Sequence, residues 1–204
     1  MQRVLAIFVG LLLASTAWAD VERDLVDCAG SNARTALSSC SRILKLEKFG
    51  KRRRAYIYIS RGIANSKLKQ YHRAIQDYDA AINLSPKNPI AHTIRGNAYF
   101  SLKQYRRAIQ DYDANLRINP KDDYTHLNRG VAFRKLKQYR RSIQDFSAAI
   151  RLNPKSANAY GSRGLTHEII GQKRLAIQDY RMALRLRPGD KVGTEGLNRL
   201  DAKP

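Results

Sequence analysis

The sequence predicts an all-α fold built as a solenoid of stacked helix-turn-helix units. Three observations point there. The block YHRAIQDYDAAINLSP at Tyr71–Pro86 returns as YRRAIQDYDANLRINP at Tyr105–Pro120, YRRSIQDFSAAIRLNP at Tyr139–Pro154 and, more loosely, KRLAIQDYRMALRLRP at Lys173–Pro188. Each step is 34 residues, and an Arg-Gly pair upstream keeps the same interval at Arg61-Gly62, Arg95-Gly96, Arg129-Gly130 and Arg163-Gly164. Self-similarity at a fixed period of this size is the mark of repeat architectures. Within each block apolar and small residues follow helical spacing.

Composition fits a core-forming chain. Of 204 residues, 43% are hydrophobic and 27% charged, which excludes a disordered, collagen-like or polytopic membrane protein. Charge is the unusual feature: 38 Lys and Arg against 17 Asp and Glu give a formal +21. Such a surface favours anionic partners and repels cationic ones, and it says nothing about fold.

The first element is read as an address. Arg3 precedes an uncharged apolar run, Val4–Ala14, too short for a spanning helix of roughly 20 residues. Ala17-Trp18-Ala19 then supplies the small-x-small pattern of a secretory cleavage site. Cleavage is expected between Ala19 and Asp20, giving a signal over 1–19 and a periplasmic or secreted mature chain without a transmembrane segment. No cysteine follows the cut and no twin arginine precedes the run. A lipid anchor and a twin-arginine export signal are therefore not expected.

Export puts Cys28 and Cys40 in an oxidising compartment. Residues 20–29 have the spacing of a short helix. Ser31 is a candidate N-cap for a second helix over 32–48, with Ala36, Leu37, Cys40, Ile43 and Leu44 on its apolar side. A Cys28–Cys40 disulfide would staple this hairpin, a degenerate repeat over 20–54. Two unpaired buried thiols are the alternative. Gly50 reads as a helix stop before Lys51-Arg52-Arg53-Arg54.

Four contiguous frames follow: 55–88, 89–122, 123–156 and 157–190. In the first, a helical stretch Ala55–Leu68 turns near Lys69-Gln70 into a second helix ending near Leu84. Gly62 and Ala64 on one helix face Ala74 and Ala81 on the other. Tyr78 shares the face of those alanines and is placed to fill the space above Gly62. Pro86 ends the second helix. One hairpin cannot bury its own apolar sides, but a stack can. Over 191–204, Thr194–Leu200 forms a short capping helix, with Leu197 and Leu200 covering the last hairpin.

These residues carry a family resemblance. The first frame reads Tyr58, Gly62, Asn65, Ala74, Tyr78, Ala81, Pro86. The second reads His92, Gly96, Tyr99, Ala108, Tyr112, Asn115, Pro120. The third reads His126, Gly130, Phe133, Ser142, Phe146, Ala149, Pro154. The fourth reads Tyr160, Gly164, His167, Ala176, Tyr180, Ala183, Pro188. The pattern of aromatic, Gly, aromatic, then Ala, aromatic, Ala and Pro resembles the tetratricopeptide repeat family, here as an exported bacterial member. The resemblance implies a right-handed α-solenoid and a non-catalytic scaffold that binds a protein or peptide. Asn65, His167, Asn115 and Ser142 depart from the pattern and are expected to loosen packing locally.

One departure recurs in every frame. The family usually has leucine before the glycine, where this chain has Arg61, Arg95, Arg129 and Arg163. Asp77, Asp111, Asp145 and Asp179 recur on the second helices. A half-buried arginine needs a partner, so four structural pairs are expected: Arg61–Asp77, Arg95–Asp111, Arg129–Asp145 and Arg163–Asp179. They can close within a repeat or bridge to its neighbour.

The inter-helix turns are basic: Lys67, Lys69, His72 and Arg73; Lys103, Arg106 and Arg107; Lys135, Lys137, Arg140 and Arg141; Lys173 and Arg174. Cations in a helix's first turn oppose its macrodipole. The cluster reads either as a solvated rim or as an edge for anionic lipid or polysaccharide. The concave face, from spacing on each first helix, comprises Tyr56, Ile59 and Ile63; Ile90, Thr93, Asn97 and Phe100; Tyr124, Leu127, Val131 and Arg134; Asn158 and Leu165. Capture of a peptide or helix in such a groove is the use the resemblance implies. Chaperone-binding members clamp a terminal carboxylate with Lys, Asn and Arg. Ile59 and Ile63 stand at two of those positions, so that clamp is not expected.

No catalytic constellation, cofactor loop, metal cluster or nucleic-acid-reading motif is present in the sequence. His167-Glu168 lacks the second histidine of a zincin. An enzyme and a specific nucleic-acid binder are not expected.

Overall fold

The computed structural model describes residues 19–46 and 49–203, and every regular element among them is a helix. The predicted signal, up to residue 18, lies outside the described residues. The chain divides into two compact units, one ending at Lys87 and one beginning at Asn88.

The first unit holds α1 (19–29), α2 (Ala33–Leu44), α3 (Lys51–Lys67) and α4 (Tyr71–Leu84). Asn32, and not Ser31, caps α2: its side chain accepts the backbone N–H of Arg34 and Thr35, each at 3.1 Å. Helix α2 ends at Leu44, short of Lys48. Gly50 opens α3 in place of stopping a helix, so Lys51–Arg54 form the first turn of α3. Cys28 and Cys40 are joined by a disulfide, with Cα atoms 4.8 Å apart. They build a core with Ile43 and Ile57, flanked by Leu25, Leu44 and Phe49. Helices α3 and α4 close on each other through Gly62, where a Cβ would overlap the Tyr78 ring.

The second unit holds α5 (Pro89–Ser101), α6 (Tyr105–Ile118), α7 (Asp123–Lys135), α8 (Tyr139–Leu152), α9 (Ala157–Ile169), α10 (Lys173–Leu186) and α11 (Lys191–Arg199). Pairs α5–α6, α7–α8 and α9–α10 are hairpins. Each second helix packs on the first helix of the next hairpin, and first helices neighbour one another. This stacking is the solenoid. Helix α11 covers the last hairpin: Leu197 and Gly196 lie on Tyr180, and the Asp190 carboxylate caps α11 by accepting the Gly193 N–H at 2.9 Å.

Helix ends differ systematically. The first helices are capped by side chains of Asn88, Asp122 and Ser156. The second helices begin after Gln104, Gln138 and Gln172 with no side-chain cap. The turn between them is a Schellman motif. Lys103 N–H donates to Phe100 O and Gln104 N–H to Tyr99 O, both at 2.9 Å. This geometry puts the residue before the glutamine in left-handed space: Lys69, Lys103 and Lys137 at φ 59°, and Gly171 at φ 78°. No helix among the described residues is long and apolar enough to cross a membrane.

Candidate functional site

The side chains that fix the repeats come first. Each arginine before a glycine grips the aspartate of its own repeat. Arg61 Nε lies 3.0 Å from Asp77 Oδ1. The corresponding contacts to Asp111 Oδ2, Asp145 Oδ2 and Asp179 Oδ2 are 2.9, 2.8 and 2.9 Å. A second guanidinium nitrogen completes each fork at 2.6–2.7 Å. The aspartates are buried. The arginine's third nitrogen reaches the preceding hairpin: Arg129 Nη1 meets Asp113 Oδ1 at 2.6 Å and Arg163 Nη1 donates to Ser147 Oγ at 3.0 Å.

Three of the four departures from the family pattern, Asn65, Asn115 and His167, make side-chain hydrogen bonds, whereas Ser142 Oγ is buried without a partner among the described residues. Asn65 donates to Asp77 Oδ2 at 2.9 Å, and His126 Nδ1 lies 3.1 Å from Asp145 Oδ1. Burial pushes the Asp145 carboxyl up, but hydrogen bonds from Arg129 and His126 outweigh it and hold the group below its ordinary range. Asn115 donates to Thr93 Oγ1 at 2.6 Å and to Pro89 O at 2.9 Å. Thr93 and Thr125 share a hydrogen bond of 3.0 Å, and Thr125 donates to Asp122 at 2.8 Å. This buried network was not anticipated, although Thr93, Asn115 and Thr125, polar at buried positions, were its available signal.

All twelve lysines and arginines of the predicted edge are exposed: Lys67, Lys69 and Arg73 in the first unit, and Lys103, Arg106, Arg107, Lys135, Lys137, Arg140, Arg141, Lys173 and Arg174 in the second. None pairs with a carboxylate among the described residues. In the second unit their three turns lie at the same end of successive hairpins. An open hollow of about 450 Å³ runs from Lys103–Arg107 to Leu136, and one of about 630 Å³ lies over Lys137–Arg141. Arg107 and Arg141 rest their guanidinium groups over Tyr99 and Phe133, each 5.7 Å from the ring centroid. These stacked arginines are held in place while their charge stays in water.

The predicted groove residues divide. Ile90 and Tyr124 are 56% and 54% exposed, and Asn158 is exposed beside them. Asn97, Phe100, Leu127, Val131 and Leu165 are half-buried on the same first helices of the second unit. Tyr56 and Ile63 are exposed on α3 of the first unit. Three assignments are corrected. Ile59 and Thr93 are buried; Asn115 and Thr125 hydrogen-bond to Thr93 and cover it, whereas Leu127, at the equivalent place in the third repeat, stays half-buried. Arg134 is also turned inward: it stacks over Phe146 at 5.8 Å and donates to Ser162 O at 3.3 Å. Burial pulls its pKa below the usual value.

No group of three metal-ligating side chains occurs among the described residues. His92 and His167 join His126 beside the ion pairs, at 3.7 Å from Asp111 and 3.9 Å from Asp179.

Comparison with known proteins places this architecture. A family model described as TPR repeat matches residues 66–103 and 96–137, and two described as tetratricopeptide repeat match 124–156 and 157–190. No curated protein matches in sequence. Solved structures give the same fold. MamA from Desulfovibrio magneticus RS-1 is 20% identical with a TM-score of 0.71, over 79% of this chain and 89% of that one. YrrB, described as a TPR protein with an unusual peptide-binding site, is 17% identical at 0.69, over 81% and 84%. The first TPR of Spaghetti (RPAP3), bound to the HSP90 peptide SRMEEVD, is 26% identical at 0.54, over 55% and 90%. With a repeat pattern, a hairpin stack and family models all covering the same residues, the chain belongs to the tetratricopeptide repeat family.

Proposed function

We propose that the protein is an exported, non-catalytic scaffold whose second unit binds a peptide or protein segment on the open face of α5, α7 and α9. The observation that carries this reading is exposed Ile90 and Tyr124 beside the half-buried Phe100, Leu127, Val131 and Leu165. Aromatic and aliphatic anchors around a few polar groups suit a short segment, and Asn97 and Asn158 supply the polar groups. Peptide binding by YrrB and by the first TPR of Spaghetti supports the same use of this fold. Export is supported by the leader pattern before residue 20 and by the Cys28–Cys40 bond.

Selection of random peptides against the protein tests the face. Selected peptides should lose about tenfold or more in affinity to Tyr124→Asp, the scale of a hot-spot anchor, and keep it with Arg106→Glu. Equal binding to both variants would remove the face from the function. Detection of the chain in periplasmic or culture fractions tests its export.

A second reading rests on the twelve exposed, unpaired cations of the turns. Acids would serve helix stability better there, yet α4, α6, α8 and α10 carry none in their first turns. This edge binds an anionic surface.

A further inference from the structure

The turn of the fourth repeat differs from those before it. Ile169 stands where the second and third repeats have Ser101 and Lys135, and Leu175 stands where they have Arg107 and Arg141. Those equivalent positions are exposed in both earlier repeats. Packing therefore does not ask for an apolar side chain at either. Ile169, Ile170 and Leu175 are nevertheless 48%, 38% and 37% exposed, side by side with the exposed Lys173 and Arg174. At the same end of the unit, Tyr105 and Tyr139 are half-buried between exposed basic neighbours.

A polysaccharide or nucleic acid would use the cations and leave three bare aliphatic side chains in water. A bilayer uses both. Anionic headgroups attract Lys and Arg within a Debye length of the surface, and aliphatic side chains enter the acyl boundary below. Tyrosine suits the layer between. We propose, resting on the second reading above, that the turn edge of the second unit docks on an anionic phospholipid bilayer. Ile169, Ile170 and Leu175 form the inserting tip, and the basic residues of the three turns engage headgroup phosphates. Neither signal suffices alone: the tip is small, and the edge without it is indifferent to what bears the negative charge.

The test uses the full chain and vesicles of phosphatidylcholine, with or without phosphatidylglycerol. Tryptophan is introduced by I169W, or by K155W at the opposite end of the hairpins, in a W18F background because Trp18 is the one native tryptophan. With phosphatidylglycerol vesicles the I169W indole should shift to the blue and be quenched by brominated acyl chains, and the K155W indole should not. The readout is local to the tip, so any partitioning of the N-terminal apolar run does not mimic it. The I169S/I170S/L175S variant, compared with its parent in the chain from Asp20 so that the N-terminal apolar run adds no binding of its own, and with helicity checked by circular dichroism, should lose about tenfold in vesicle binding.

An I169W indole that stays in water, or a triple variant that binds as the parent does, overturns the bilayer assignment. If R106E/R107E/R140E/R141E still loses binding in that case, the anionic-edge reading survives. If that charge variant also binds as the parent does, the edge reading falls with the proposal. Retention on an anionic polysaccharide without vesicle binding overturns the bilayer. So does self-association abolished by the triple variant with vesicle binding unchanged, which would make the tip a contact between two copies.

Discussion

Arg129 and Asp113 meet at 2.6 Å across the boundary between the second and third repeats. The same guanidinium forks onto Asp145 of its own repeat. These two acids differ in exposure: Asp145 is buried, whereas the Asp113 side chain is 48% exposed. Asp145→Ala leaves a half-buried cation without its main partner and should cost about 3 kcal/mol. Asp113→Ala should cost about 1 kcal/mol or less. Urea unfolding of both variants checks the order, and equal losses would contradict it.

Acid should loosen the third repeat. The Asp145 carboxyl is held below its ordinary range in the fold, so it contributes stability above its unfolded value of about 3.9. That contribution declines as pH falls below this value and is gone once pH passes the folded value. Asp145→Asn should start less stable at neutral pH and show a flatter acid limb. Unfolding midpoints measured between neutral pH and strong acid give the comparison.

The turn lysines offer a stabilising change. Lys103 occupies left-handed space at φ 59°, where a Cβ is disfavoured by roughly 1 kcal/mol. Lys103→Gly should raise the thermal midpoint, corresponding to about 0.5 kcal/mol after the extra chain entropy of glycine. Gly171, at φ 78°, should respond oppositely, with Gly171→Ala losing about 1 kcal/mol.

Helix approach sets a fourth expectation. A Cβ on Gly130 would stand 2.8 Å from Phe146 Cε1. Gly130→Ala should lose about 2 kcal/mol by overpacking. The same change at Gly50, where a Cβ meets nothing within 4 Å, should cost less, about 0.5–1 kcal/mol, the difference between glycine and alanine at a helix N-cap. Thermal melts of the two variants decide it.

Reduction of Cys28–Cys40 should destabilise the first unit by about 3 kcal/mol, the chain-entropy value for so short a loop. Hydrogen exchange with and without reductant should show faster exchange in α1 and α2.

The repeat register was legible because recurrence removes the ambiguity of any single segment. Gly62 opposite Tyr78 and the pairing of Arg163 with Asp179 both follow from fixed offsets. Other features depend on neighbours that one helix's spacing does not reveal. Ser31 and Asn32 are both good caps, and only the path of the chain selects Asn32. Thr93 reads as open from the spacing of its own helix, but Asn115 and Thr125 on neighbouring helices cover it. Arg129 could be assigned Asp145 by recurrence, but its second acid, Asp113, depends on the offset between stacked hairpins. The exposure of the basic turn residues was legible, since short turns between packed helices are surface features.

The side chain that receives the third guanidinium nitrogen is not the same in each repeat: it is Asp113 in the second and Ser147 in the third. The equivalent position in the fourth is Arg181, whose side chain donates to the Lys203 carbonyl at 2.9–3.0 Å. Neighbours are therefore not interchangeable modules. Transplanting the fourth repeat ahead of the third would set Arg181 against Arg129, cation against cation, so this position disfavours one ordering of neighbouring repeats.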